Sequence, residues 1–209
     1  METTGSFVKP NDLADDAPVC RLPGLSHAGV RAHFLLRKGK PGRLPADLHD
    51  MPESWSSRLT RWRLNWFPAY RATGARITYI SADRSEVRIR LPLNRRTRNY
   101  VGTIFGGSMY AAVDPVYMVM LIEVLGPEYV VWDKAATIRF LRPGRQELYA
   151  SFRLTPDDVA AIRSEVDATG RTERQFTVEL QDAAGDVHAV AEKVVSIRRR
   201  RSRARVTGT

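Results

Sequence analysis

Apolar residues recur along this chain with two different periods, and the changes between them mark out its elements. Val87, Ile89, Leu91 and Leu93 alternate with Arg88 and Arg90, the period of 2 expected of a strand with one buried face. Ala75 to Ile80 is a second strand-like run, and Ser81 to Ser85 reads as the hairpin turn between the two. Beyond a turn rich in glycine (Gly102, Gly106, Gly107) the spacing lengthens: Met109, Ala112, Val113, Val116, Tyr117, Met120, Leu121 and Val124 follow i, i+3, i+4. Met118, Val119 and Ile122 make the other faces apolar as well, which predicts a long buried helix ending at Leu125. After Gly126-Pro127 the period of 2 returns in Ala136, Ile138 and Phe140, in Leu148, Ala150, Phe152 and Leu154, in Phe176, Val178 and Leu180, and from Val187 to Ile197. Thr155-Pro156-Asp157-Asp158 interrupts these runs with a helix start: Thr155 as N-cap, Pro156 in the first helical position, Asp158 near the positive helix end. The helix is expected to be short.

Two strands, one long buried helix and about four further strands, linked largely by hairpins, imply an antiparallel sheet wrapped around that helix. This is an α+β layout, the hot-dog arrangement. A single such domain leaves one edge strand and part of the helix uncovered, so a dimer with a continuous sheet is expected. The domain is assigned to residues 54–197. Near its start Leu59, Trp62, Leu64, Trp66 and Phe67 cluster before Pro68, as in a short amphipathic helix that caps a sheet edge or face. Residues 1–53 carry scattered Pro and Gly with no sustained period, and read as an extension with little core of its own.

Charge changes this picture little. The chain of 209 residues has a formal charge of +10, but Arg198, Arg199, Arg200, Arg201, Arg203 and Arg205 supply six of those positives in a basic tail, residues 198–209. Such a run reads as a solvated end or a polyanion contact, and nucleic acid is not expected to be the partner that defines the function. The single cysteine, Cys20, allows no internal disulfide framework and points to a reducing compartment. The N-terminus shows no apolar leader, and no run reads as approaching the roughly 20 residues needed to span a bilayer. A cytoplasmic protein with no membrane contact is the expectation.

Candidate chemistry is sparse. There is no GxSxG elbow, no Walker loop and no GxGxxG opening a helix after a strand. The four histidines show no metal-ligand spacing in a fitting element: Pro52 interrupts His49 and Glu53, and His188 and Glu192 lie in a predicted strand. No metal and no organic cofactor are expected. Between Arg98 and Glu123 the only charged or ionisable Asp, Glu, His, Lys or Arg is Asp114, inside the apolar helix. A buried carboxylate costs several kcal/mol, on the order of magnitude, without a partner, so Asp114 needs either a partner or a task. Asp114-Pro115 is also a good N-cap pair, so the carboxylate could instead cap a helix that begins there.

Asn99-Tyr100-Val101-Gly102-Thr103-Ile104-Phe105-Gly106-Gly107 resembles the N-x-x-G-x-x-H-G-G turn of PaaI-type hot-dog thioesterases, and Asp114 falls where their carboxylate falls. Thr137 to Pro143 is similar to the family's next strand and its exit. Gly102 to Ser108, Asp114 to Tyr117 and Val131 to Ala136 together resemble a DUF4442-like hot-dog subfamily over about residues 55–200. The resemblance implies an acyl-CoA thioesterase, working as a homodimer or homotetramer, with an acyl-CoA or related thioester as its ligand. Backbone amides at Gly106 and Gly107 would polarise the thioester carbonyl, and Asp114, from the same or the partner subunit, would activate water or attack directly. Asn99 would hold the turn or orient the water. Lys134, Arg139, Arg142 and Arg145 would meet the CoA phosphates. Where the motif has His this chain has Phe105, which would pack against an acyl chain or the core; the departure leaves open a protein that binds the thioester without cleaving it.

Overall fold

The period-2 runs become six strands of one antiparallel sheet in the computed structural model, which describes residues 53–200. Expectations for residues 1–52, and for the arginines after Arg200, lie outside the described residues. The elements are α1 (Trp55–Trp66), α2 (Pro68–Ala72), β1 (Arg76–Ile80), β2 (Glu86–Leu91), α3 (Gly106–Val113), α4 (Val116–Leu125), β3 (Tyr129–Phe140), β4 (Leu148–Arg153), α5 (Pro156–Thr169), β5 (Arg171–Gln181) and β6 (Val187–Arg199). The sheet runs β1-β2-β4-β5-β6-β3. It closes over α3 and α4 in the hot-dog manner, and Val87, Ile89, Leu148, Phe152, Val178, Leu180, Val195 and Ile197 from the strands form one core with Met109, Val113, Met120 and Leu121. Each fully buried side chain of this size contributes about 1.5–3 kcal/mol. Tyr117 is clamped in that core, stacked on Phe176 at 4.3 Å and edge-on to Phe152 at 5.2 Å.

The central helix is one rod with a flaw in the middle. Asp114 and Pro115 both keep helical backbone angles, yet Pro115 has no amide to continue the ladder, so α3 ends and α4 begins around them. Gly106 to Leu125 together make 20 residues long and apolar enough, by length and composition, to cross a bilayer, which corrects the expectation that no run approached that length. Here half of that stretch is buried as the core helix of the fold.

Several elements are longer than their sequence pattern indicated; β5, for one, begins at Arg171 rather than near Phe176. The helix after Thr155 is not short: it has 14 residues, with the expected capping box of Thr155 and Asp158, and ends on Gly170 in the left-handed conformation. Only Ile162 and Val166 of it are buried, so its apolar stripe was too thin to show its length. Strand β3 starts at Tyr129 rather than near Ala136, and its buried positions are Tyr129 and Val131. Ala136 and Phe140, which the alternation assigned to a core face, are exposed, because β3 is an edge strand bonded only to β6. A register shift between Asp133 and Ala135 bulges the strand at Lys134. At the other end β6 continues to Arg199, so the first arginines of the basic run belong to the sheet, with Arg199 paired to Asp167 at 2.7 Å.

Candidate functional site

On β6, Ala189, Ala191, Lys193, Val195 and Ile197 share the face turned to the core, and the third of them is a lysine that is 0% exposed. An ammonium there must be met by opposite charge and hydrogen-bond acceptors. The flaw in the central helix supplies the acceptors: Lys193 Nζ donates to Asp114 Oδ1 at 2.9 Å and also to the Asp114 backbone carbonyl. Asp133 Oδ2, on the edge strand β3, takes its third proton at 2.8 Å. Tyr110, one turn before Asp114, donates its phenol to the same Oδ1 at 2.8 Å. Burial first, then the Asp114 hydrogen bond and the two nearby carboxylates, push the Tyr110 phenol up to about 12, so it stays a donor.

Asp114 Oδ1 is thus held by two donors, while Oδ2 has no protein partner among the described residues, on a side chain 40% exposed. The carboxylate is not a helix cap: its bonds run to Tyr110 and Lys193, and α4 has no side-chain cap. Asp114 and Tyr110 stand in the wall of a cavity of about 460 Å³, otherwise lined mainly by apolar groups such as Leu64, Phe67, Ile77, Met118 and Val119. Tyr70 lies in the same wall, its phenol raised above the ordinary value by burial and donating to the Ala112 carbonyl at 3.3 Å.

The glycine turn lies at the other end of α3. Gly106 and Gly107 are its first two residues, whose amides have no acceptor within the helix. Both glycines are closely approached by rings: a Cβ on Gly106 would come within 2.8 Å of the Phe140 ring, and one on Gly107 would meet the ring of Phe105, so either substitution would push an exposed phenylalanine aside. Phe105 is therefore a partly exposed lid on the helix end rather than a core residue. Asn99 organises the turn itself, its Oδ1 accepting from the amides of Val101 (3.1 Å) and Thr103 (3.0 Å) and its Nδ2 donating to Thr103 Oγ1. Of the four basic candidates, Lys134 pairs with Glu173 at 2.6 Å, Arg139 with Glu192 at 3.2 Å and Arg142 with Asp186 at 2.7 Å, all near the surface. Arg145 is exposed and has no ion-pair partner among the described residues. His188 is locked between the Pro143 carbonyl and Asp182, whose carboxyl that hydrogen bond holds down at about 2.

Lys193, Asp133 and Tyr110 were not singled out from the sequence. The signal for Lys193 was nevertheless present, as a charge in register with the small and branched residues of the last strand's buried face.

The domain-of-unknown-function family DUF4442 matches residues 57–197. Among solved structures, a probable thioesterase of Pseudomonas aeruginosa superposes with a TM-score of 0.62 at 20% identity, over 68% of this chain and 95% of that one. A thioesterase of Haemophilus influenzae gives a TM-score of 0.53 at 14% identity, over 70% and 93% of the two chains. A further P. aeruginosa thioesterase, solved as a mutant, gives 0.52 at 13%, over 73% and 98%. No curated protein matches the chain. The hot-dog fold is common to these structures, and by its sequence the chain belongs to the DUF4442 family.

Proposed function

We propose that this protein hydrolyses an acyl-CoA or a related thioester, with Asp114 delivering water to the thioester carbonyl. The observation that carries the reading is a carboxylate with one oxygen fixed by Tyr110 and Lys193 and the other unpartnered, in the wall of an apolar cavity sized for a small ligand. In the proposed step Oδ2 takes a proton from water, the water oxygen adds to the carbonyl carbon, and the tetrahedral intermediate expels the thiolate. The first amides of α3 stabilise the oxyanion. Gly107 and Asp114 are seven residues apart on one helix, about 10 Å along its axis, too far to act on one carbonyl. The reading therefore includes a dimer in which one chain's Asp114 works with its partner's Gly106 and Gly107, and the exposed edge of β3 supports it. Lys134, Arg139 and Arg142 make surface ion pairs of the kind worth only about 0–1 kcal/mol, so CoA phosphates can replace the carboxylates.

The test is thiol release from short, long and aromatic acyl-CoAs by the wild type and by Asp114→Asn. Asparagine keeps the size of the side chain, so the variant is expected to fold, with turnover reduced about 100-fold or more. A folded wild type inactive on every acyl-CoA would sink the proposal. One observation favours a second reading, a protein that binds the thioester without cleaving it: the rings of Phe105 and Phe140 lie over the two glycines whose amides the oxyanion needs. Saturable binding of an acyl-CoA without thiol release is the result that reading expects.

A further inference from the structure

Helix α1 is amphipathic, but it is mounted the wrong way round for a soluble protein. At roughly 100° per residue, Trp55, Leu59, Trp62 and Trp66 fall within an arc of about 60°, a continuous apolar stripe. A stripe of this kind ordinarily packs on the core. Here it faces outward: Trp55 is 83% exposed, Leu59 55%, Trp62 59% and Trp66 57%, and Phe67 beyond the helix end is 59% exposed. The helix is held to the domain by its polar side instead. Asn65 exchanges two hydrogen bonds with the backbone of Ile77, both at 2.9 Å, and the buried Ser57 donates to the Ser81 carbonyl at 2.9 Å. Glu53, just before the helix, accepts from the Ile80 amide at 2.9 Å and pairs with Arg61. These bonds fix which face is presented, so the exposure of the tryptophans is built into the fold.

The stripe is bordered by cations. Arg58 flanks it on one side and Arg63 on the other, with Arg71 and Arg76 beside them, and Arg58 and Arg71 lean over Trp55 and Trp66 at 5.2 and 5.0 Å. The acid of this neighbourhood, Glu53, is occupied by Arg61. A second copy of the chain would bring this cluster against its own like charges. Nucleic acid would use the arginines and stack on the rings, yet Leu59 in the middle of the stripe offers no face for stacking. Tryptophans and leucine on one face with arginines along its borders match an anionic lipid surface: rings enter the headgroup region while guanidinium groups meet phosphates.

We propose that α1 docks the domain on anionic membranes, lying in the interface rather than crossing it. The opposite side of the same helix supplies Thr60 and Leu64 to the apolar cavity beside Asp114, so docking would leave that cavity behind α1, one helix away from the lipid. The proposal holds whether or not Asp114 cleaves a thioester, since its readout is binding alone.

The experiment is co-sedimentation of the full chain with phosphatidylglycerol–phosphatidylcholine vesicles and with phosphatidylcholine alone, read together with tryptophan emission. Three of the four tryptophans lie on α1, and a Trp132→Phe background leaves only those. Expected are a blue shift and sedimentation with the anionic vesicles, weakened by salt. Replacing Trp55, Trp62 and Trp66 with Ser, with an unchanged melting curve, is expected to weaken binding at least about tenfold. Arg58→Glu with Arg63→Glu is expected to weaken it about tenfold or more while leaving the tryptophans in place. No sedimentation of the wild type overturns the proposal. So does full binding by the triple-serine variant, which would assign the contact to the arginine tail. A wild type that ignores vesicles but changes oligomeric state when the tryptophans are replaced assigns the face to a second copy, and tight oligonucleotide binding without lipid binding assigns it to nucleic acid; either result also overturns it.

Discussion

Around Asp114 the protein buries charge, and along α1 it exposes tryptophan. Both regions break the rule that apolar residues go inside and charges outside, but they are balanced differently. The ammonium of Lys193 meets two carboxylates and a carbonyl, Asp114 meets a phenol as well, and the cluster is almost complete within the chain. Two oxygens are left over among the described residues: Asp114 Oδ2, on the exposed side of its carboxylate, and Asp133 Oδ1, which is buried without a partner. The tryptophan stripe has nothing of the kind to cover it among the described residues. A departure that is satisfied internally points to a site held in a set geometry; one that is left open points to something beyond the described residues.

The largest effect that could break this comparison is expected at Lys193. Lys193→Ala leaves Asp114 and Asp133 facing each other without their cation, and a loss of about 3–5 kcal/mol is expected in urea unfolding. A loss below about 1 kcal/mol would mean that the two carboxylates do not depend on it. On α1 the expected order of importance is the reverse of the usual one for a surface helix. Asn65→Ala removes both bonds to Ile77 and is expected to cost about 1–3 kcal/mol.

Tyr110→Phe is expected to cost about 0.5–1.5 kcal/mol at neutral pH, the worth of one hydrogen bond. It also has a pH signature. The phenol ionises near 10 when unfolded and at about 12 in the fold, so its contribution is fully present below pH 10 and is lost as pH rises towards 12. Stability curves of the wild type and Tyr110→Phe should therefore converge over that window; parallel curves would count against the bond to Asp114. The smallest effect is expected at Trp62→Ser, within about 0.5 kcal/mol, because the ring faces outward. A loss above about 2 kcal/mol there would show that the stripe is covered by the chain itself.

Much of the fold was legible because alternation is a strong signal wherever a strand has one buried face. β2 and β4 lie where it predicted, β5 contains the predicted run but begins five residues earlier at Arg171, and the capping box of α5 was readable to the residue. Edges were the weak points. The alternation in Ala136, Ile138 and Phe140 is real but marks no core, since β3 has a neighbour on one side only. In the candidate site, Asp114 stood out because its helix holds no other charge before Glu123, and the glycine turn because of its spacing. Lys193 and Asp133 are 79 and 19 residues from Asp114 in the chain, and no local pattern joins them.

By itself the sequence determined the periods, the caps and the helix whose faces are all apolar, because these depend on neighbours a few residues apart. It also determined that one carboxylate would have to be accommodated inside that helix. Only the tertiary structure decided how: Pro115 opens the helical ladder, the pairing of β6 with β3 brings Lys193 and Asp133 to the same place, and burial makes their charges depend on one another. It likewise decided which side of α1 faces the sheet, since both sides of that helix could bond or pack, and the backbone of Ile77 and Ser81 selected the polar one.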